Sequence, residues 1–137
     1  MLTLFRGDGY TKSERKKFFA DIKRMTDDLF KGETFKSILP ILNVWAVFTP
    51  SKESGIGVNG KPKDTVFGLY RDGTELRGIY PTNKDNARKA CRATGPYACD
   101  YPVIIGNDDY YGSYTVNAKL IHLFRRIRRR IRNQYIK

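Results

Sequence analysis

In the first 112 residues, the spacing of apolar positions predicts short strands in some segments and helices in others. Residues 2–5 predict a short buried strand. The two glycines of Gly7-Asp-Gly9 predict a turn, because glycine readily adopts the positive φ that turns need. The helix predicted over about residues 12–30 carries one apolar face made of Phe18, Ile22, Met25 and Leu29.

The start of this helix has a capping signal. Thr11 and Glu14 form a T-x-x-E capping box, in which the threonine and the glutamate each satisfy backbone N–H groups at the helix start. The sequence therefore predicts that the helix begins directly after Thr11.

Later segments of the chain predict further strands and helices. The β-branched and aromatic run at 43–48 lies between Pro40 and Pro50 and predicts a central strand. The other predicted elements are a helical turn at 33–38, weak strands at 66–70 and 75–80, a helix at 83–93 and a buried strand at 101–105.

Strands that alternate with helices are typical of the α/β class. We therefore expect a mixed or parallel sheet with flanking helices. If residues 2–5, 43–48 and 101–105 are parallel neighbours in it, the connections between them should be right-handed. The glycine-rich loop at 51–64 contains a G-x-G at Gly55 to Gly57. No strand directly precedes that G-x-G and no helix follows, so the pattern does not predict a dinucleotide site.

Charge divides the chain into two regions, 1–112 and 113–137. The whole chain carries a net charge of +12, and residues 113–137 contribute eight of these charges with no acid. Such an asymmetry favours a tail that meets anions. The basic residues of the tail are Lys119, Arg125, Arg126, Arg128, Arg129, Arg130, Arg132 and Lys137.

Apolar residues of the tail recur at helical spacing and predict a basic amphipathic helix. They are Leu120, Leu123, Phe124, Ile127, Ile131 and Tyr135. The apolar face could pack on residues 1–112, or the helix could bind an anionic membrane or nucleic-acid phosphates. In the last two cases the anion-binding residues would be Arg125, Arg126, Arg128, Arg129, Arg130 and Arg132. A retained intron, a frameshift or an alternative splice form would also produce a tail of this kind.

The two cysteines leave two alternatives open. Cys91 and Cys99 are either buried free thiols or a disulfide that closes a short loop. Two cysteines without further cysteine or histidine do not make a zinc site. The N-terminus lacks the basic segment and the cleavage site of a signal peptide, so the sequence as written predicts no export.

An ordered set of motifs resembles the N-terminal part of the IgA-peptidase-like family of secreted zinc metallopeptidases, particularly its fungal members. The resemblance covers residues 4–112. The motifs are Leu4-Phe-Arg-Gly-Asp-Gly-Tyr-Thr11, Phe18-Phe-Ala-Asp21, Leu42-Asn-Val-Trp-Ala-Val-Phe-Thr-Pro-Ser-Lys-Glu-Ser-Gly-Ile-Gly57, Lys63-Asp-Thr-Val-Phe-Gly-Leu-Tyr-Arg71, Cys99-Asp-Tyr-Pro102 and Gly106-Asn107. The resemblance implies a zincin-like α/β fold, peptide substrates in full-length relatives and an extracytoplasmic setting, which favours the Cys91–Cys99 disulfide.

The chain departs from this family at the zinc motif. The family's H-E-x-x-H supplies two histidine ligands and a glutamate base. The only histidine here is His122, and Leu123, Phe124, Arg125 and Arg126 follow it. We therefore assign no catalytic residue, metal ligand or cofactor, and expect a truncated, inactive portion of a zinc metallopeptidase. For Asp8, Glu53 and Asp64 the sequence predicts only turn formation and loop hydrogen bonding.

Overall fold

The computed structural model describes residues 2–37, 39–74, 77–93, 95 and 101–110. Within these ranges the chain forms a three-stranded parallel sheet, a two-stranded antiparallel pair and helices, which confirms the predicted α/β class. Cys99 and the whole tail at 113–137 lie outside the described residues, so the disulfide and the basic helix stay predictions. No helix in the described ranges is long and apolar enough to cross a membrane.

The helices lie close to where they were predicted, whereas the strands found at 69–71 and 79–81 are shorter and start later than the weak strands predicted at 66–70 and 75–80. The strands are β1 (Leu2–Asp8), β2 (Asn43–Val47), β3 (Leu69–Arg71), β4 (Ile79–Pro81) and β5 (Tyr101–Gly106). The α-helices are α1 (Arg15–Leu29), α2 (Glu33–Lys36) and α3 (Lys84–Arg92), and a 3-10 turn at Lys12–Glu14 leads into α1.

Strand β1 lies between β2 and β5 and pairs in parallel with both, as expected of neighbouring strands in this class. The prediction of 43–48 as the central strand was wrong, because among the described strands β2 borders only β1. Asn43, Val44 and Trp45 are accordingly exposed. Strand composition signals burial and β-propensity, but it does not encode the order in which strands pair.

The first strand is longer than predicted and continues through Gly7 to Asp8. Gly7 serves close packing instead of a turn: a Cβ there would lie 2.7 Å from the ring of Phe18 and 2.8 Å from that of Tyr10. The turn begins at Gly9, whose φ of +74° is in the region that favours glycine.

One face of the sheet is covered by α1. Phe18 and Ile22 pack with Phe5, Tyr10 and Ile105 in one buried cluster. Met25, which the sequence places on the same face of the helix, is 40% exposed and is not a member of this cluster.

The opposite face is covered near the carboxyl ends of the strands by the loop that precedes β3. Ile56, Phe67 and Leu69 form a second buried cluster, against which Ile104 and Ala90 pack. The two clusters thus lie on opposite faces of the sheet, as in other α/β domains.

Asp8 joins β1 to this second layer. Its side chain is fully buried and accepts hydrogen bonds from Phe67 N and Leu69 N, both at 2.8 Å, and from Thr65 Oγ1 at 2.9 Å. The prediction of turn formation at Asp8 was therefore wrong, because Asp8 ends strand β1, but its predicted loop hydrogen bonding is confirmed. Its carboxylate is the acceptor that fixes the start of β3 against the end of β1.

Candidate functional site

The carboxyl ends of β1 and β5 lie side by side, with Asp8 paired to Gly106. Ligands of open parallel sheets generally bind at this edge. The loop after β5 is tied to the end of β1 by a backbone hydrogen bond from Asn107 N to Asp8 O at 2.9 Å, and the loop before β3 is tied to the turn after β1 by one from Gly55 N to Gly9 O, also at 2.9 Å.

A surface hollow of about 280 Å³ opens at this edge. Its lining is mostly polar and comes from the start of α1, the loop before β3 and the loop after β5. The lining residues are Glu14, Lys17, Ser54, Gly55, Asn107, Asp108, Asp109 and Tyr110.

Asn107 is the centre of the hydrogen-bond network in the hollow. Its Nδ2 donates to Gly9 O at 2.8 Å, to Glu14 Oε1 at 3.1 Å and to Ser54 Oγ at 3.3 Å. Its Oδ1 accepts from Lys17 Nζ at 2.7 Å. The amide therefore links all three segments that line the hollow.

Glu14 is held as a carboxylate by donors on both oxygens. Oε2 accepts from Thr11 N at 2.9 Å and from Thr11 Oγ1 at 3.0 Å, and Oε1 accepts from Ser54 Oγ at 2.9 Å. The Thr11 backbone N–H, followed by the Ser54, Thr11 and Asn107 side chains, lowers the pKa of Glu14 to about 2. An acid this strong is a poor general base near neutral pH, so Glu14 organises the hollow and does not activate Ser54.

Lys17 connects the hollow to α1. Besides Asn107, its ammonium contacts Asp21 Oδ2 at 3.1 Å and lies 5.3 Å from the centre of the Tyr10 ring. Tyr10 also donates to Asp21 Oδ2, at 2.9 Å. Burial, and then this bond to a carboxylate, raise the pKa of the Tyr10 hydroxyl far above its ordinary value, so the tyrosine stays a proton donor.

A buried arginine fixes the other wall. Arg71 is 1% exposed; its Nε donates to Asp108 Oδ2 at 2.7 Å and its Nη2 donates to Tyr110 O at 2.7 Å. A buried ion pair is costly to break, because the remaining charge would be left without a partner. The loop after β5 is thereby held against β3, beside a second hollow of about 350 Å³ that includes Ile56, Val58 and Thr74.

The hollow presents carboxylate, amide and ammonium groups from Glu14, Asn107 and Lys17. Among the described residues, no three His, Cys, Asp or Glu side chains lie close enough together to hold a metal ion. The single histidine, His122, lies outside the described residues. Ser54 faces a carboxylate of low basicity, which is not the arrangement that activates a serine nucleophile.

Comparison with known families decides the ancestry of this scaffold. The model of the IgA peptidase M64 family matches residues 2–121, which is most of the chain. The chain belongs to the IgA peptidase M64 family. The match confirms the resemblance that the sequence motifs indicated, and it runs past Gly112 to residue 121. None of the curated proteins compared with the chain is similar enough to match it.

The site residues predicted for this M64 chain have different outcomes. Glu53 and Asp64 make the predicted loop hydrogen bonds, with Asp64 N donating to Glu53 Oε2 and Glu53 N to Asp64 O. Cys91 lies in α3, but its predicted partner Cys99 is outside the described residues. The candidate anion-binding residues Arg125, Arg126, Arg128, Arg129, Arg130 and Arg132 are outside them too.

Sequence reasoning found Glu14 as a capping residue but did not predict the hollow, and it missed the roles of Asn107 and Arg71. Asn107 and Arg71 belong to motifs shared with the family, but no spacing rule pairs either of them with its distant partners. The available signal was position: Asn107 directly follows a buried parallel strand, where α/β proteins place functional side chains.

Glu14→Gln should destabilise the chain most near neutral pH. The carboxylate has a pKa of about 2 when folded, below its ordinary value of 4.5. Its stabilisation is therefore present above about pH 4.5 and is lost as pH falls toward 2. We expect a loss of roughly 1–2 kcal/mol in the free energy of unfolding at pH 7, allowing for partial solvent screening. Urea unfolding of both proteins from pH 7 to pH 2 measures this difference.

Glu33→Gln is the matched control, because Glu33 has a side chain that is 85% exposed and a single ion pair with Lys36 at 3.6 Å. That variant should stay close to the parent at every pH. A Glu14→Gln difference that did not shrink on acidification would contradict the assigned role of the carboxylate.

Proposed function

We propose that this chain is a portion of a zinc metallopeptidase that is inactive as given, with a zincin-like α/β scaffold that does not itself bind catalytic zinc. The observation that carries the proposal is that the sequence lacks the zinc-binding motif of such peptidases. A single histidine, His122, is present among 137 residues, and no H-E-x-x-H occurs. The family match supports the ancestry of the scaffold, and peptide-bond hydrolysis is the activity that this ancestry implies for relatives.

The chemistry of zinc peptidases explains why the motif matters. Catalytic zinc needs three protein ligands and one open position for water, and a nearby glutamate takes the proton of that water. His122 has no glutamate beside it and no histidine four residues later. The arginines that follow from Arg125 add positive charge, which opposes binding of a dication.

The described hollow is consistent with a binding role without hydrolysis. Glu14, Asn107 and Lys17 offer a carboxylate, an amide and an ammonium at the edge where parallel sheets bind ligands. Peptides are the ligand class that the family suggests. The extracytoplasmic setting of such peptidases is carried over as part of the same proposal.

The purified 137-residue chain should hold no stoichiometric zinc and should cleave no peptide. Zinc content is measured after loading with zinc chloride and removal of excess metal. Cleavage of a mixed peptide library is then followed by mass spectrometry with and without a chelator.

His122→Ala is the matched variant. If the His122 imidazole binds zinc weakly, this variant should take up less zinc than the parent chain. An active zinc endopeptidase run beside the chain establishes that the library reports cleavage. Cleavage by the chain that a chelator abolishes and added zinc restores would reject the proposal.

A second candidate function rests on the charge of the tail. Residues 113–137 carry eight basic groups and no acid, which favours binding to phosphate groups of anionic lipids or nucleic acids. The two ligands differ in salt response and in how the apolar face is used. A lipid surface would take up that face, whereas nucleic-acid binding would not require it.

The full-length triple variant Arg126→Gln, Arg129→Gln, Arg130→Gln should bind both anions more weakly. Vesicle binding should lose about 1 kcal/mol per basic group that lies near the headgroups. For duplex DNA, the slope of log K against log salt should fall by about 0.9 per phosphate contact. Vesicle sedimentation and fluorescence anisotropy measure the two affinities.

The matched control removes the same charge from residues 1–112, at the exposed lysines Lys12, Lys16 and Lys61. Equal losses in the two triple variants would show that net charge alone drives binding, and the tail would not be a specific anion site.

A further inference from the structure

Exposed apolar side chains concentrate on and just before β2. Eight large hydrophobic residues are exposed in the described part of the chain, and four of them fall within residues 39–45. They are Leu39 at 40%, Ile41 at 65%, Val44 at 37% and Trp45 at 59% exposure. Exposed apolar side chains along an edge strand usually mark an interaction surface or an aggregation hazard.

The layer that covers the sheet stops before it reaches this strand. Leu4 and Trp45 are register partners in parallel strands, so their side chains leave the same face of the sheet. Leu4 is only 1% exposed, whereas Trp45 is 59% exposed. On that face the described cover therefore ends at β1 and leaves the β2 position open.

We propose that the tail of this chain covers the open position, with residues 120–135 lying as a helix across β2 and seated on Trp45. The tail has the apolar pattern that a helix docked on this surface needs. Its apolar positions make one stripe along a helix about 22 Å long. The stripe consists of Leu120, Leu123, Phe124, Ile127, Ile131 and Tyr135.

The connection is long enough to bring the tail to this surface. From Gly106 on β5 to Trp45 on β2, the path crosses two strand spacings, about 10 Å, and four residues of strand, about 13 Å. Tyr110 lies four residues beyond Gly106 and so adds no more than roughly 13 Å. The ten residues from Tyr110 to Leu120 span up to roughly 33 Å, which exceeds the approximately 30 Å required in the least favourable case.

Docking in this orientation also suits the charges. The arginines occupy most of the circumference outside the apolar stripe, so a helix seated by that stripe keeps them in water. The same contact buries the largest side chain of the exposed run. The inference does not depend on whether the chain binds zinc or hydrolyses peptides.

Trp45 is the only tryptophan, so its fluorescence reports this contact directly. In the full-length chain we expect emission at shorter wavelength than free tryptophan and weak quenching by acrylamide. In the variant Ile127→Lys, Ile131→Lys we expect emission to shift to longer wavelength and the quenching constant to rise. Both changes should be absent in the control Arg128→Gln, Arg130→Gln, which alters the cationic sector of the same helix.

Trp45 emission and light scattering of the unaltered chain test the docking even if a variant folds poorly. Strongly quenched, water-like Trp45 emission in the full-length chain would overturn the proposal. So would shielding that disappears on dilution together with a fall in mass by light scattering, since a second copy would then cover β2. Shielding that persists in a monomer and is lost only when the apolar stripe is changed supports intramolecular docking by the tail.

Discussion

The structure depends on one buried carboxylate, Asp8, at the end of the central described strand. Burial of such a group is costly unless donors surround it, and here two backbone N–H groups and one hydroxyl point at it. The two amides belong to Phe67 and Leu69, whose side chains form the second apolar cluster. A polar contact and a hydrophobic layer are thus fixed by the same short segment, so loss of the first would loosen the second.

The hollow at the carboxyl edge follows from this attachment. With the end of β1 fixed, Gly9 turns the chain into the capping box, and the adjacent β5 delivers Asn107 beside Glu14. The buried Arg71 then holds the loop after β5 from the opposite side. The described part of the family scaffold is thus held together by polar contacts between segments that are distant in the sequence.

Much of the fold could be predicted because its signals are local. The apolar runs predicted the strands that the structure pairs in one parallel sheet, and the T-x-x-E spacing predicted the cap at Glu14. Errors arose where contacts between distant residues override the local pattern. Gly7 was predicted in a turn but lies in β1, where the rings of Phe18 and Tyr10 pack against it. The hollow was not predictable by spacing, since the contacts of Asn107 with Gly9, Glu14, Lys17 and Ser54 join residues 53 to 98 positions apart. No sequence period reports contacts over such separations.

The central claim is that Asp8 fixes the start of β3 against β1, and amide hydrogen exchange tests it most directly. In the native full-length chain, the amides of Phe67 and Leu69 should exchange as slowly as the paired amides of β1, because all of them should open only with the core. In Asp8→Asn, exchange at Phe67 and Leu69 should accelerate well before that of Phe5. Fast exchange of both amides in the unaltered chain, at the rate of the exposed loop residue Asp72, would contradict the account.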